Sequence, residues 1–507
     1  MANLKEGVVG MRKRALVLAV LLPLLLIRQQ PPAQAANKDH ITKQCSFTVS
    51  ADQKNKGSLA DDNFRSIWTG GAGSTVRIES TQAIGGLYIR WQEIPKKWEV
   101  RSLKGEEPLS LYTGPETTFF HQYVPIESAG ETALELHLIS GGSIADVFVL
   151  AAGAPVPDWV QQWKPMWDKA DLLLISTHAD DELLWFGGAL PVYAGEFQKK
   201  VQVAYLTNHG PRRTHELLNG LWTVGVTAYP MISDFPDLYC KTFKSALAEY
   251  DEKEVLGYQV KLLRRFKPDV VLGQDINGEY GHGVHILNTY TLRKALEISS
   301  DPAAYPELAE QYGLWQVKKC YLHLYDQNRL VMDWSQPLSH FGGKTGLEMA
   351  KKGFACHVSQ QKPQWKVEDF GKNDCRQFGL YYTTVGQDRV GNDFFENVNP
   401  CIPWKALPVE TKPNTSQPPA TQPSATQPPT TQPVPTTTEA VATTTVETAV
   451  PTTTTSAQQV IVSVPQPDQG PGLGLLLAPG ILLVAAGGSA AAVLIWRRRT
   501  QGKYIDR

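Results

Sequence analysis

From about residue 165 the chain alternates short apolar runs with amphipathic ones, and this alternation limits its fold more than any other feature. Asp171 to Ser176 (DLLLIS), Val201 to Leu206 and Asp269 to Gly273 (DVVLG) read as strands buried on both faces. Glu182 to Ala194, Arg213 to Gly225, Asp251 to Phe266 and His285 to Ile298 read as helices, with Pro191 placed to bend or end the first. Val255, Leu256, Leu262, Leu263 and Phe266 share one face of the third. Thr227 to Ile232 reads as a short or edge strand. The expectation for residues 161–404 is an α/β unit with a mostly parallel sheet covered by helices. In such a sheet the ligand crevice opens beyond the carboxyl ends of the strands.

Before that unit the period of the pattern changes to two. Val76 to Glu79, Leu87 to Trp91 and Leu134 to Leu138 alternate apolar and polar side chains, and Gly, Pro, Ser and Asn clusters separate them. Residues 36–160 are therefore expected to form an all-β sandwich. Trp68, Trp91 and Trp98 lie in it; they either stack on sugar rings or fill the core, and the core is the expected place for at least two.

A chain of 507 residues has room for two or three units, and its ends carry other signals. Residues 1–35 read as a secretory signal: Arg12, Lys13 and Arg14, a short apolar run, then Ala33-Gln34-Ala35. Residues 405–469 are dominated by Thr, Pro, Ala, Val and Gln, with Thr-Gln-Pro recurring at Thr421, Thr426 and Thr431, and are expected to be a disordered stalk. Residues 472–496 are apolar and uncharged, long enough for one transmembrane helix. Arg497, Arg498 and Arg499 follow, so residues 497–507 form the expected cytoplasmic tail and the body lies outside the cell. The mean hydropathy of −0.25 excludes a polytopic membrane protein. Lys+Arg of 49 against Asp+Glu of 50 leaves no basic excess for general nucleic-acid binding. Six cysteines in an exported chain suggest disulfides, with Cys45 in the first part and Cys240, Cys320, Cys356, Cys375 and Cys401 downstream. Either one bridge joins the two parts or some thiols stay free. None forms a Cys-x-x-Cys pair, which argues against a cysteine zinc site.

Two motifs fall at the carboxyl ends of expected strands. His178-Ala179-Asp180-Asp181-Glu182 follows DLLLIS, and Glu279-Tyr280-Gly281-His282-Gly283-Val284-His285 follows DVVLG. Together they bring imidazoles and carboxylates to one sheet edge. Crowded carboxylates repel unless a cation sits among them, and zinc accepts both ligand types. Asp180 and Asp181 also suit the start of a helix, and His282 and His285 suit a glycine-rich turn. The coincidence of both motifs at matching strand ends favours a metal site.

His178-Ala179-Asp180-Asp181-Glu182 resembles the HPDDE signature of the LmbE-like, or PIG-L, family of N-acetylglucosamine deacetylases. Arg213-Thr214-His215-Glu216, ending in Val224-Gly225-Val226, resembles that family's RxxE helix, and Gly281-His282-Gly283-Val284-His285 its GHxxH motif. The resemblance runs from about Asp171 to Asp393 and includes Val385-Gly386-Gln387-Asp388. It implies a Rossmann-like catalytic sheet. It implies zinc, or another divalent ion, on His178, Asp181 and His285. Asp180 would be the general base, and His282 would assist the oxyanion or the leaving amine. Arg213 would contact sugar hydroxyls, as would Asp237 on a looser motif. Ala179 stands where the family has proline. Val284 stands where an aspartate often orients the histidine, so His282 would depend on Asp275 or Glu279. Asp61 to Trp68 resembles the opening of a discoidin-type, galactose-binding-like jelly roll.

The implied function is a surface-anchored, metal-dependent N-deacetylase of N-acetylated sugars. A carbohydrate-binding or adhesion protein with a silent catalytic fold is the alternative, and a third reading keeps the metal but hydrolyses another amide. Discrimination among substrates would lie in loops such as Asn208 to Arg212.

Overall fold

The computed structural model describes residues 39–115 and 118–409. The expected signal (1–35), the stalk beyond residue 409, the span (472–496) and the tail (497–507) lie outside them. Among the described residues no helix is long and apolar enough to cross a membrane.

Nine strands occupy the first part: β1 (Ser46–Val49), β2 (Trp68–Gly70), β3 (Ser74–Glu79), β4 (Ile84–Glu93), β5 (Trp98–Ser102), β6 (Leu109–Thr113), β7 (His121–Pro125), β8 (Ala133–Leu138) and β9 (Gly142–Ala151). They form two antiparallel sheets, β1-β3-β8-β5-β6 and β2-β9-β4-β7. The alternating runs fall in β3, β4 and β8. In β8 every second residue is buried, because successive side chains of a strand point to opposite faces. Trp68, Trp91 and Trp98 are all buried in the core. Trp91 and Trp98 meet edge to face at 5.1 Å, and the Trp98 indole donates to Thr118 Oγ1. The core, the expected place for at least two of these tryptophans, takes all three, and the sugar-stacking alternative falls.

The second part is mixed α/β. Its elements begin with β10 (Leu172–Ser176), α1 (Asp181–Leu184), β11 (Val201–Tyr205), α2 (Gly210–Thr223), β12 (Met231–Ile232), α3 (Phe243–Glu249) and α4 (Glu252–Phe266). Then come β13 (Val270–Gly273), α5 (Gly283–Ile298), α6 (Pro306–Tyr312), β14 (Lys319–His323) and β15 (Arg329–Val331). A small ribbon of β16 (Pro337–Leu338) and β17 (Lys344–Thr345), α7 (Gly346–Ala355) and β18 (Gln377–Thr383) complete it. The large sheet has the order β12-β11-β10-β13-β14-β18-β15. Its pairings from β12 to β14 are parallel, while β18 runs antiparallel to both β14 and β15. Every residue of β10, β11, β13 and β14 is buried, as sheets covered on both faces require. One apolar cluster is continuous from the β-sandwich residues to one face of this sheet, and a second covers the other face.

Two expectations change. The helix over 182–194 is a single turn, α1, followed by a separate wide turn over Pro191–Glu196. Gly187 has φ +50°, and Gly187 and Gly188 press against Trp334 and Cys375, so the chain leaves helical geometry there. The six cysteines are all free thiols. Cys240, Cys320 and Cys375 are buried in the two apolar clusters, where they behave as small apolar side chains rather than bridges.

Candidate metal centre

β10 and β13 are parallel neighbours, so the segments leaving their carboxyl ends emerge on one side of the sheet. The first carries His178 to Asp181 into α1; the second carries Glu279 to His282 into α5. They meet at three atoms. His178 Nδ1 lies 2.8 Å from His285 Nε2 and 3.1 Å from Asp181 Oδ2, and His285 Nε2 lies 3.0 Å from Asp181 Oδ2. All three side chains are buried. His282, also buried, joins the two histidines in a group whose ligand atoms lie within 4.8 Å of one another.

The surroundings turn lone pairs inward. The His285 Nδ1–H donates to the Glu279 carbonyl at 3.3 Å, which leaves Nε2 as an acceptor. The Trp185 indole donates to Asp181 Oδ1 at 2.7 Å, while Oδ2, which accepts the His178 backbone N–H at 2.8 Å, stands at the cluster. Behind His178, Asp237 Oδ1 stands 3.5 Å from Nε2. Three acceptors held about 3 Å apart repel unless a cation lies between them, and donors about 2.1 Å from a shared tetrahedral ion stand roughly that far apart. The His, His and Asp donor set therefore fits a divalent metal.

Asp180 precedes α1 at φ 123°, ψ −29°, and its side chain caps nothing. Helix capping thus does not explain this carboxylate. Its Oδ1 accepts from Arg213 Nη2 at 3.2 Å, and its own N–H donates to Glu182 Oε2 at 2.8 Å. Burial pushes its pKa up to about 7, with Arg213 opposing and Asp181 adding to the rise.

The structure brings the remaining expected residues together, with different partners. Arg213, on α2, donates to the Ala179 carbonyl as well as to Asp180, and its Nη1 lies 3.5 Å from Asp237 Oδ2. Asp237 also takes the Nδ1–H of His209 at 3.0 Å. Neither Asp275 nor Glu279 orients His282: neither of its ring nitrogens has a hydrogen-bond partner among the described residues. Glu279 is instead bound to His323 Nδ1 at 2.8 Å, on β14. His282 packs against Tyr239 and Tyr280, at ring distances of 5.3 and 5.6 Å. Burial, then His285 and His178, lower its pKa to about 3, which leaves the ring neutral. Asp388 belongs elsewhere, paired with the buried Lys319 and with Tyr321.

Four supporting groups escaped the sequence reading. His209 Nε2 accepts the Ala179 N–H at 2.7 Å and so fixes the turn. Glu182 pairs with His357 Nε2 at 3.0 Å beneath Asp180. Trp185 holds Asp181, and His323 holds Glu279. Of these, Glu182, Trp185 and His209 stood within quoted segments; His323 carries no local signal.

No family model matches the chain. It is 28% identical over 179 residues to the 1D-myo-inositol 2-acetamido-2-deoxy-alpha-D-glucopyranoside deacetylase of Streptomyces avermitilis, covering 30% of this chain and 60% of that protein. The chain thus spans about 60% of the length of the curated relatives it matches. Among solved structures, the N,N'-diacetylchitobiose deacetylase of Pyrococcus horikoshii is 16% identical and covers 41% of this chain and 75% of its own, with a TM-score of 0.29. Chitosan-binding module 1 of a chitosanase/glucanase from Paenibacillus sp. IK-5 is 12% identical and covers 22% of this chain and 100% of its own, with a TM-score of 0.20. By the order of its motifs and by the deacetylases to which its sequence is similar, the chain resembles the LmbE-like, or PIG-L, family of N-acetylglucosamine deacetylases.

Proposed function

We propose that the chain is an exported, metal-dependent N-deacetylase of N-acetylated sugars, held at the cell surface by a helix over residues 472–496. The meeting of His178 Nδ1, His285 Nε2 and Asp181 Oδ2 within 3.1 Å carries the reading. His178, Asp181 and His285 would hold the ion, and zinc suits that donor set. When bound, such an ion supplies Lewis acidity to the acetamide carbonyl and lowers the pKa of water towards about 7.

The chain supplies the proton chemistry. Asp180, its pKa pushed up to about 7, accepts a proton from the attacking water. Arg213 fixes the Asp180 carboxylate, so the base is oriented before substrate arrives. The neutral His282 donates an N–H to the carbonyl oxygen as charge develops there, a contact worth about 3 kcal/mol. The C–N bond then breaks, acetate leaves, and the proton held by Asp180 passes to the amine. Asp237, between Arg213 and His209, lines the sugar side.

The test combines metal analysis with acetate release over a panel of N-acetylated sugars. Wild type is expected to carry about one divalent ion per chain and to release acetate. Asp180→Asn keeps the metal and loses at least about 100-fold in rate. A metal-loaded wild type that releases acetate from none of the panel overturns the proposal. Protease access to residues 39–409 on intact cells tests the location.

A further inference from the structure

Of the three clustered histidines, His282 lacks a hydrogen-bonded anchor. The Glu279 carbonyl holds His285 and Asp181 meets His178, but neither ring nitrogen of the buried His282 has a partner among the described residues. An imidazole without such a bond turns about its side-chain torsions unless packing stops it. Four rings pack around it. Between ring centres, His178 stands at 5.2 Å, His285 at 5.0 Å, Tyr280 at 5.6 Å and Tyr239 at 5.3 Å. The first three belong to the two motifs of the metal cluster. Tyr239 comes from elsewhere, the segment between β12 and α3.

Tyr239 is 81% exposed, so burial does not account for its place. Its backbone does. The Gly283 N–H donates to the Cys240 carbonyl at 2.8 Å, which ties the residue after Tyr239 to the residue after His282. On the other side, the Leu238 N–H donates to the Tyr250 hydroxyl at 3.0 Å, and that hydroxyl donates to the Pro236 carbonyl at 2.7 Å. The segment is pinned before and after Tyr239, and so delivers an exposed ring against a buried one.

We propose that Tyr239 is the positioning residue of His282: its ring stands in for a carboxylate and holds the imidazole by packing. A carboxylate would occupy one ring nitrogen, whereas a ring contact occupies neither. The N–H that meets the acetamide oxygen is then aimed with no hydrogen bond behind it. The inference rests on the deacetylase reading for its kinetic test, but not for its labelling test.

Both tests use the full, metal-loaded chain. The first measures kcat and KM for acetate release from an N-acetylated sugar. Tyr239→Ala lowers kcat about 3–10-fold and leaves KM unchanged. Tyr239→Phe keeps the ring and restores the wild-type kcat. In a His282→Ala background, Tyr239→Ala changes kcat less than about twofold, because the ring it acts through is gone. The second test follows acylation of the His282 ring by diethyl pyrocarbonate, read by peptide mass spectrometry with the exposed His340 as reference. His282 reacts several times faster in Tyr239→Ala than in wild type or Tyr239→Phe. The exposure of Tyr239 means that its loss leaves the fold intact. A raised KM with kcat intact makes Tyr239 a substrate contact and overturns the inference, as does an undiminished loss in the His282→Ala background. Labelling of His282 indifferent to Tyr239→Ala overturns it whatever the activity. Faster labelling in Tyr239→Ala, with no acetate released even by wild type, overturns the deacetylase and keeps Tyr239 as the residue that holds His282.

Discussion

Asp180 occupies a backbone conformation that L-residues rarely adopt, at φ 123°. Such a residue costs on the order of 1–3 kcal/mol and persists only where its surroundings enforce it. Here the Glu182 carboxylate takes its N–H, Arg213 takes its side chain, and His209 takes the preceding N–H. These bonds hold the strained turn and fix the Asp180 carboxylate against Arg213. A similar division of labour operates on Asp181, where Trp185 occupies Oδ1 while Oδ2 takes the His178 N–H and stands at the histidine cluster. Trp185→Phe keeps most of the packing but removes that donor. It is expected to weaken metal binding about 10–100-fold, as read by competition with a chelator. An unchanged affinity would show that Asp181 needs no such anchor. The groups proposed to touch the ion stood out in the sequence because each lies in a short motif after an expected strand, and the family resemblance supplied the roles proposed for them. His323, on β14, was not: its partner Glu279 is remote in sequence, so nothing local marks it.

At the scale of elements, the pairing of β10 with β13 decides that the two motifs meet. Their apolar runs made both strands readable, and parallel pairing explains why the following segments share an edge. How α5 seats His285 is a tertiary matter. A Cβ on Gly283 would stand 2.1 Å from the Thr242 carbonyl oxygen and 2.9 Å from that of Cys240. Backbone cannot retreat as a flexible side chain can, so the first turn of α5 needs glycine there. Gly283→Ala is expected to displace this turn, cost about 1–3 kcal/mol in stability and lower metal occupancy. Thermal unfolding together with metal analysis checks both effects, and a variant with wild-type values for both contradicts the close approach. The end of α1 was not legible for the same kind of reason. Trp334 and Cys375, which crowd Gly187, come from far along the chain.

On the scale of the whole molecule, the β-sandwich and the α/β part share buried polar contacts as well as apolar ones. His121 on β7 meets His215 on α2, Nε2 to Nδ1, at 2.8 Å, with Gln161 and Tyr88 on the far side of His121. Phe64 and Phe120 pack on the His215 ring. Burial, with Arg90 adding to it, lowers the His215 pKa from 6.5 to about 3. The unfolded chain therefore takes up a proton near pH 6.5 that the folded chain refuses until about 3. Stability from this group is complete above the higher value and is lost as pH falls towards the lower, by at most about 1.4 kcal/mol per pH unit. Melting temperatures between about pH 7 and 4.5 should fall less steeply in His215→Gln than in wild type. Identical slopes would remove the pair from the account of acid stability. By itself the sequence determined the periodicities, and hence strands and helices, together with the residue types of the metal cluster, because both are properties of neighbouring residues. Only the tertiary structure decided that the third tryptophan is core as well, that the thiols are unpaired, that His282 lacks a carboxylate partner and that His121 meets His215. Those outcomes depend on which distant segments pack together, and no local pattern encodes that choice.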